Sequence, residues 1–279
     1  MLILGIESAS DQSGCALATE NGILAEARLA LPRRHAEALA PQMRFVCEQA
    51  GIALADIDAV AVDQGPGLYT GLRAGLATAK ATAAALGIGL VPVGSLEALA
   101  FGAAAAAQPG ETVLSVLDAR RGEVFWAWYR IAAARPRPGE SRFARSRPGE
   151  SQFGDSAAGS PAGDPSRRFS APGVRLVQLS APQVGPPEDL LPALSSPGEQ
   201  PSGRTVVVGD GALRYADLLA TGNAAIACPA LRFPSPAAVA LLGRERALTG
   251  GTVAPEQVDA VYLRSPDAQP QPSSGPPDP

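Results

Sequence analysis

Three short apolar runs open this chain with only tight turns between them, and helical and strand-like patterns then alternate over the rest of the first hundred residues. The runs are LILGIES, CALAT and ILAEARLAL, separated by DQSG and ENG. Branched apolar stretches of this length, bounded by Ser, Asp and Gly, read as buried strands. Turns so short force neighbouring strands to run antiparallel. RRHAEALAPQMRFVCEQAGI follows, with Leu39, Met43, Val46 and Ala50 at helical spacing and Gly51 as the stop. Pro41 removes one helix hydrogen bond and predicts a bend. A strand over Ala59 to Val62, a helix ending near Gly87, the strand GLVPVG and a helix capped by Ser95 complete the series.

The order is therefore βββαβαβα, which is that of the ribonuclease-H-like, actin-type nucleotide-binding domain. Residues 1–110 are expected to form it. The remainder opens with ETVLSVLDARRGEVFWAWYRI, two strands around the turn ARRG. Period-2 alternation puts Phe125 and Tyr129 on one face and Trp126 and Trp128 on the other. The strand is either covered on both sides or an exposed edge that meets a partner. Further on, GVRLVQLS and RTVVVGDGA read as strands and PPEDLLPALSS as a short helix. SPAAVALLGRERALTGG reads as a helix with Ser235 as N-cap and Gly250 as stop, and QVDAVYLRSP as a final strand.

Composition narrows the class. Hydrophobic residues make up 46% of the 279 and charged residues 18%, enough apolar material for a sizeable core. The net charge of -4 argues against a chain that holds nucleic acid by a broad basic surface of its own. Cys15, Cys47 and Cys228 offer neither a disulfide framework nor a metal spacing, which suits a reducing cytosol. The N-terminal MLILGIES has no basic stretch and meets Glu7 early, so it does not read as a signal peptide. LEALAFGAAAAA is too short to span a bilayer. The expectation is a cytoplasmic protein without a membrane segment.

Residues 133–172 stand apart. RPGESRFARS and RPGESQFGDS form a tandem repeat over 137–156, and seven arginines face four acids across the segment. Rich in Pro, Gly, Ser and Arg, it reads as a disordered insertion, with a weak tether to RNA phosphates as the sharper reading.

The stretch DQGPGLYTGLRAGLATAKATAAAL, from Asp63 to Leu86, carries the chemical question. Gly65, Pro66 and Gly67 follow a strand, and Thr70 and Gly71 open a helix whose unpaired N–H groups favour an anion. Arg73 adds a charge one turn in. No Gly-Lys-Ser/Thr follows, so this is not a Walker A loop. The plainer reading is a tight turn with Thr70 as N-cap. Gly71, Gly75, Ala79 and Ala83 repeat every four residues, with Ala74, Thr78, Thr82 and Ala85 beside them. Such a row suits close packing inside its own domain, or a groove that receives a partner's helix.

GPGLYTGLR resembles the Gly-Pro-Gly-Ser-Phe-Thr-Gly-Leu-Arg signature of the TsaB family, bacterial proteins of tRNA threonylcarbamoyladenosine biosynthesis. LILGIESAS stands where that family has its first strand and an acid-hydroxyl pair. LDARRGEVFWAWY matches its Asp-Ala-Arg-x-Gly-Glu-Val-Tyr hairpin, and VDAVYLR its Pro-x-Tyr-Leu-Arg ending, with Ala260 where proline is usual. Leu68-Tyr69 in place of Ser-Phe and the inserted repeat are departures.

The resemblance implies an α/β fold of two ribonuclease-H-like (actin-type ATPase) domains, mixed sheets flanked by helices. The second would be a degenerate domain over 111–265, interrupted by the 133–172 insertion and followed by a disordered tail over 266–279. It implies a non-catalytic subunit of the complex that installs threonylcarbamoyl on N6 of adenosine 37 in tRNAs reading codons that start with A. The catalytic subunit TsaD would be its partner, TsaE would join them, and tRNA would be met through the complex. ATP and metal would sit on the partner subunits, with no cofactor bound strongly by this chain alone. Docking is expected through the helix pair beginning near His35 and Thr70, by His35, Leu39, Met43, Thr70, Gly71, Ala74, Gly75, Thr78 and Ala79. In isolation the same faces could pair two copies.

TsaD-like proteins hold a metal through His-x-x-x-His. This chain has one histidine, His35, expected at a surface or interface, so no metal ligand and no catalytic residue is assigned. ESASDQSG supplies Glu7, Ser8 and Ser10 but a glycine only at Gly14. With Gly65, Gly67 and Arg73 these make at most a degenerate nucleotide or anion site. Two other classes remain. An ATPase or sugar-kinase-type phosphotransferase would need a competent phosphate loop at Glu7 to Gly14. A peptidase would need a second histidine or a His-Glu-x-x-His motif that the sequence lacks.

Overall fold

β1 (Ile3–Glu7), β2 (Ser13–Thr19) and β3 (Gly22–Leu29) form the antiparallel meander required by the short turns. The computed structural model describes residues 1–104, 108–133, 174–195, 204–222, 224–227 and 229–264. The tandem repeat, the tail over 266–279 and Cys228 lie outside the described residues. α1 (His35–Ala50) follows, and Gly51 ends it in the left-handed conformation that glycine adopts without strain. The helix continues through Pro41. β4 (Ala59–Asp63), α2 (Tyr69–Leu86), β5 (Gly89–Val93) and α3 (Ser95–Ala103) complete the first half.

The strand order is β3-β2-β1-β4-β5, with β4 parallel to both β1 and β5. β1 and β4 are buried along their whole length because helices cover both faces of the sheet. Alternation along β1 divides the core. Leu4 and Ile6 pack with Leu39 and Val46 of α1 and Leu76 and Ala79 of α2. Ile3 faces the other way, toward Ala98 of α3 and Val239 and Leu242 from the C-terminal part of the chain.

The second sheet is built on β6 (Thr112–Arg120) and β7 (Glu123–Ala133), which pair as the expected hairpin. β8 (Val174–Gln178) and β9 (Gln183–Gly185) pair with β7. After α4 (Leu191–Ser195), β10 (Thr205–Val208) lies parallel to β6. Two short helices, α5 (Asp210–Arg214) and α6 (Ala216–Leu219), lead to β11 (Ala224–Ile226), parallel to β10. Phe125 and Tyr129 pack with Leu96 and Leu99 of α3, whereas Trp126 and Trp128 face Leu190 and Leu219. β7 is thus an interior strand covered on both sides, and the reading as a partner-seeking edge falls away.

α7 (Pro236–Leu248) belongs to the C-terminal part of the chain but packs on the first sheet. Its approach is close: a Cβ at Gly243 would sit 2.2 Å from Ala61 Cβ. Ser235 caps α7 as expected, accepting from Ala238 N at 3.3 Å, and Glu26 of β3 accepts from Ala237 N at 3.1 Å.

Three local expectations are corrected. Thr70 is not an N-cap: α2 starts at Tyr69 with Leu68 in the cap position and no side-chain cap. Ser95 is the first helical residue of α3, not its cap, because its hydroxyl is engaged by Asp63. QVDAVYLRSP forms no strand. Its backbone crosses from one sheet toward the other: Val258 is buried in the first core, Val261 N donates to Gln64 O at 2.7 Å, and Leu263 packs on the second core.

Candidate functional site

The C-terminal ends of β1 and β4 meet the N-terminus of α2, the crevice where α/β sheets commonly bind ligands. Glu7 ends β1 and is fully buried. Its Oε1 accepts from Ala9 N at 2.9 Å and Ser10 Oγ at 3.4 Å, and its Oε2 from Gln12 Nε2 at 3.2 Å. Ser8 Oγ donates to Gly71 O at 2.9 Å. Ala9 O accepts from Leu68 N at 2.7 Å, and Gly67 is so close that a Cβ there would lie 2.2 Å from the same oxygen. Ala9 O is thus pressed against the turn that leads into α2 and takes the Leu68 N–H just ahead of the helix.

Asp63 ends β4 and is also fully buried. Its Oδ1 accepts from Gly65 N at 2.8 Å and Ser95 Oγ at 2.5 Å, while Oδ2 has no hydrogen-bond partner. Burial raises the Asp63 carboxyl to about 7, against the lowering pull of its Ser95 and Gly65 hydrogen bonds. Burial, and then the neighbouring Asp63 charge, holds Glu7 well above the usual carboxylate range. Neither Asp63 nor Ser95 reads from the sequence as a site residue. The available signal was an acid closing the otherwise apolar strand AVAVD.

The structure brings Glu7, Ser8, Ser10, Gly65 and Gly67 together and leaves Arg73 out. Arg73 is turned outward, its Nε donating to Tyr262 Oη at 3.2 Å and its guanidinium stacked 3.9 Å from the Tyr69 ring centroid. His35 is not at the surface. It is 5% exposed, with Nε2 at 2.7 Å from Ser10 O. Among the described residues no group of three His, Cys, Asp or Glu could hold a metal ion.

The expected docking set divides. His35, Leu39, Met43, Gly71, Gly75 and Ala79 are buried within the chain, on the faces of α1 and α2 that meet each other and the sheet. A Cβ at Gly71 would lie 2.1 Å from Ser8 O, and one at Gly75 equally close to Ser8 Oγ. The small-residue row is thus turned inward, Gly71 and Gly75 against the Ser8 turn and Ala79 and Ala83 into the apolar core. Thr70 is exposed and Ala74 and Thr78 are half-buried. They border the stripe that α2 does present outward: Thr70, Arg73, Ala77, Ala81 and Ala84.

A second cluster joins the sheets. Arg120 adopts φ 65, a left-handed conformation that is unfavourable for a residue with a side chain, at a register shift in the β6–β7 hairpin. From there Nη1 donates to Asp118 Oδ2 at 3.1 Å, and Nη2 reaches Asp11 in the β1–β2 turn. Arg214 Nη1 also donates to Asp118 Oδ2 at 3.1 Å, and Asp118 N donates to Asp210 Oδ1 at 3.0 Å. The cavity beside these groups, lined by Ser10, Leu68, Asp118 and Asp210 among others, measures about 10 Å³. That is room for a water, not a nucleotide. The DARRG turn in the sequence was its only signal.

The family TsaD, tRNA N6-adenosine threonylcarbamoyltransferase, matches residues 23–139. The tRNA threonylcarbamoyladenosine biosynthesis protein TsaB of Escherichia coli K12 is 35% identical over 131 residues, 47% of this chain and 55% of that protein. TsaB of Bacillus subtilis 168 is 34% identical over 131 residues, 47% of this chain and 56% of that protein. The chain resembles the TsaB proteins. The match spans about half the length of these TsaB relatives. YeaZ from Pseudomonas aeruginosa superposes with a TM-score of 0.68 at 24% identity, covering 94% of this chain and 99% of that one. This last similarity establishes the shared fold of two mixed sheets flanked by helices. Among the described residues no helix is long and apolar enough to cross a membrane.

Proposed function

We propose that this chain is the non-catalytic subunit of the assembly that installs threonylcarbamoyl on N6 of adenosine 37 in tRNAs reading codons that start with A. In this reading it binds and supports a catalytic TsaD in the cytoplasm, with TsaE joining during turnover. ATP and metal are held by those partners, and tRNA is met through the complex. Two copies pair through the same face when TsaD is absent.

The observation that carries the reading is how the crevice is filled. Ala9 O caps the entrance to α2, and the chain's one histidine lies against Ser10 O. A phosphate loop of an ATPase or kinase turns such groups toward its ligand, whereas here they are bonded within the chain. What stays open on α2 is its outer stripe of Ala77, Ala81 and Ala84, whose small side chains let another helix come near.

Reconstitution tests the proposal. Modified adenosine is measured with TsaD and TsaE, with and without this chain. Product should form only when it is present, and equal product in its absence would remove the role. Ala77→Glu and Ala81→Glu should abolish TsaD binding while leaving thermal unfolding unchanged.

A further inference from the structure

α2 contains no aspartate or glutamate in its 18 residues, and its two charges, Arg73 and Lys80, lie seven positions apart on one face. Seven residues are close to two helical turns, so the cations stand about 10 Å apart along the axis. Both flank the uncharged stripe of Ala77, Ala81 and Ala84. Among the described residues Lys80 makes one long ion pair, 3.5 Å, with Asp259, a side chain that is 89% exposed.

Arg73 is held more firmly, and by neutral groups. Its guanidinium lies against the Tyr69 ring and its Nε donates to Tyr262 Oη. The two rings are themselves 5.2 Å apart at an interplanar angle of 34°. Both tyrosines are exposed, at 41% and 42%. Stacking and the Nε bond fix the plane of the guanidinium, while among the described residues Nη1 and Nη2 make no ion pair with an acid. A guanidinium oriented in advance loses little freedom when a carboxylate engages it. Exposed Tyr and Arg in contact are also the residue types that anchor protein interfaces.

We propose that the outer face of α2 receives an acidic helix of its protein partner, with one carboxylate seated on Arg73 in the Tyr69–Tyr262 frame and a second acid opposite Lys80. The alanine stripe sets how near that helix comes, and the two cations set its register. Charge complementarity selects the occupant: α2 itself offers two cations, no acid and no large apolar side chain between them, and Asp259 meets Lys80 only from outside the helix. This inference rests on the proposed docking to TsaD and specifies which atoms of this chain hold the partner.

The test uses full-length chain and purified TsaD, titrated at low and high salt. Wild-type affinity should fall as salt rises. Arg73→Gln should weaken binding about tenfold and flatten the salt dependence. Arg73→Lys should fail to restore it, because the planar fork is gone. Tyr262→Phe, which loses only the hydroxyl that orients Arg73, should weaken binding by a smaller factor at unchanged thermal stability, and it carries the test should Arg73→Gln fold poorly. Equal affinity and salt dependence for Arg73→Gln, Tyr262→Phe and wild type would overturn the anchor while leaving the docking reading intact. Loss of tRNA affinity with TsaD affinity unchanged would assign the cluster to nucleic acid and overturn it as well. No binding of wild-type chain to TsaD at any salt would remove the docking reading, and the anchor with it.

Discussion

Arg120 Nη2 donates to Asp11 Oδ2 at 2.5 Å and so ties the hairpin of the second sheet to the first turn of the first sheet. Its other partner, Asp118, is 4% exposed and also takes Arg214. Burial makes the two acids unequal. Asp118→Ala strips two guanidinium groups of a buried counter-charge and should cost about 2 kcal/mol. Asp11→Ala loosens a partly exposed pair and should cost under about 1 kcal/mol. Urea unfolding of both variants checks this, and an equal or larger loss for Asp11→Ala would contradict the account.

Glu7 and Asp63 give the chain a pH dependence of definite sign. Both carboxyls are raised from ordinary values of 4.5 and 3.8, Asp63 to about 7. The folded chain thus holds protons that the unfolded chain releases. Their contribution is complete below the unfolded values and is lost as pH rises toward and through 7. Asp210, raised to about 6 chiefly by burial, acts in the same direction. Urea midpoints should fall between about pH 4 and pH 7, and Asp63→Asn should flatten that fall. A wild-type midpoint that climbs over this range, with Asp63→Asn parallel to it, would refute the assignment.

Gly71 and Gly75 should behave as core positions. Gly71→Ala would push a methyl group into the Ser8 carbonyl and should cost about 2–3 kcal/mol. Gly75→Ala meets the Ser8 hydroxyl, which can rotate away by giving up its bond to Gly71 O, so about 1 kcal/mol is expected. Ala77→Leu, on the exposed stripe, should leave the midpoint of thermal unfolding where it was. A large drop for Ala77→Leu with none for Gly71→Ala would reverse the two faces of α2.

Cys15 should be inert in the native chain. Its thiol is fully buried, and burial, followed by the Cys47 and Glu7 neighbours, moves it far above the ordinary thiol range. Alkylation followed by peptide mapping should find Cys15 unmodified in buffer and modified in urea. Rapid native labelling would show that the β2–α1 layer opens.

Most of the architecture is legible in the chain because its determinants are local. The turns DQSG and ENG set the meander, Gly51 and Gly87 end their helices, and the aromatic alternation of β7 sorts its two faces correctly. The site is less legible because its determinants are contacts between segments distant in sequence. The row Gly71, Gly75, Ala79 and Ala83 announces close packing but not the packing partners, which are the Ser8 turn for the two glycines and the apolar core for the two alanines. VDAVYLR has the composition of a strand, but it pairs with no strand and crosses between the two cores.

The sequence by itself determined the order of the elements in the first half, the glycine stops of α1 and α2 and the resemblance to TsaB, since each depends on residues close together in the chain. Only the tertiary structure decided that Ala9 O takes the Leu68 N–H at the entrance to α2, that His35 is buried against Ser10, and that Arg73 faces outward between Tyr69 and Tyr262. The physical reason is that a backbone carbonyl carries no sequence signature. A helix start with glycines looks the same whether its amides await an anion or already face the oxygen of a neighbouring turn.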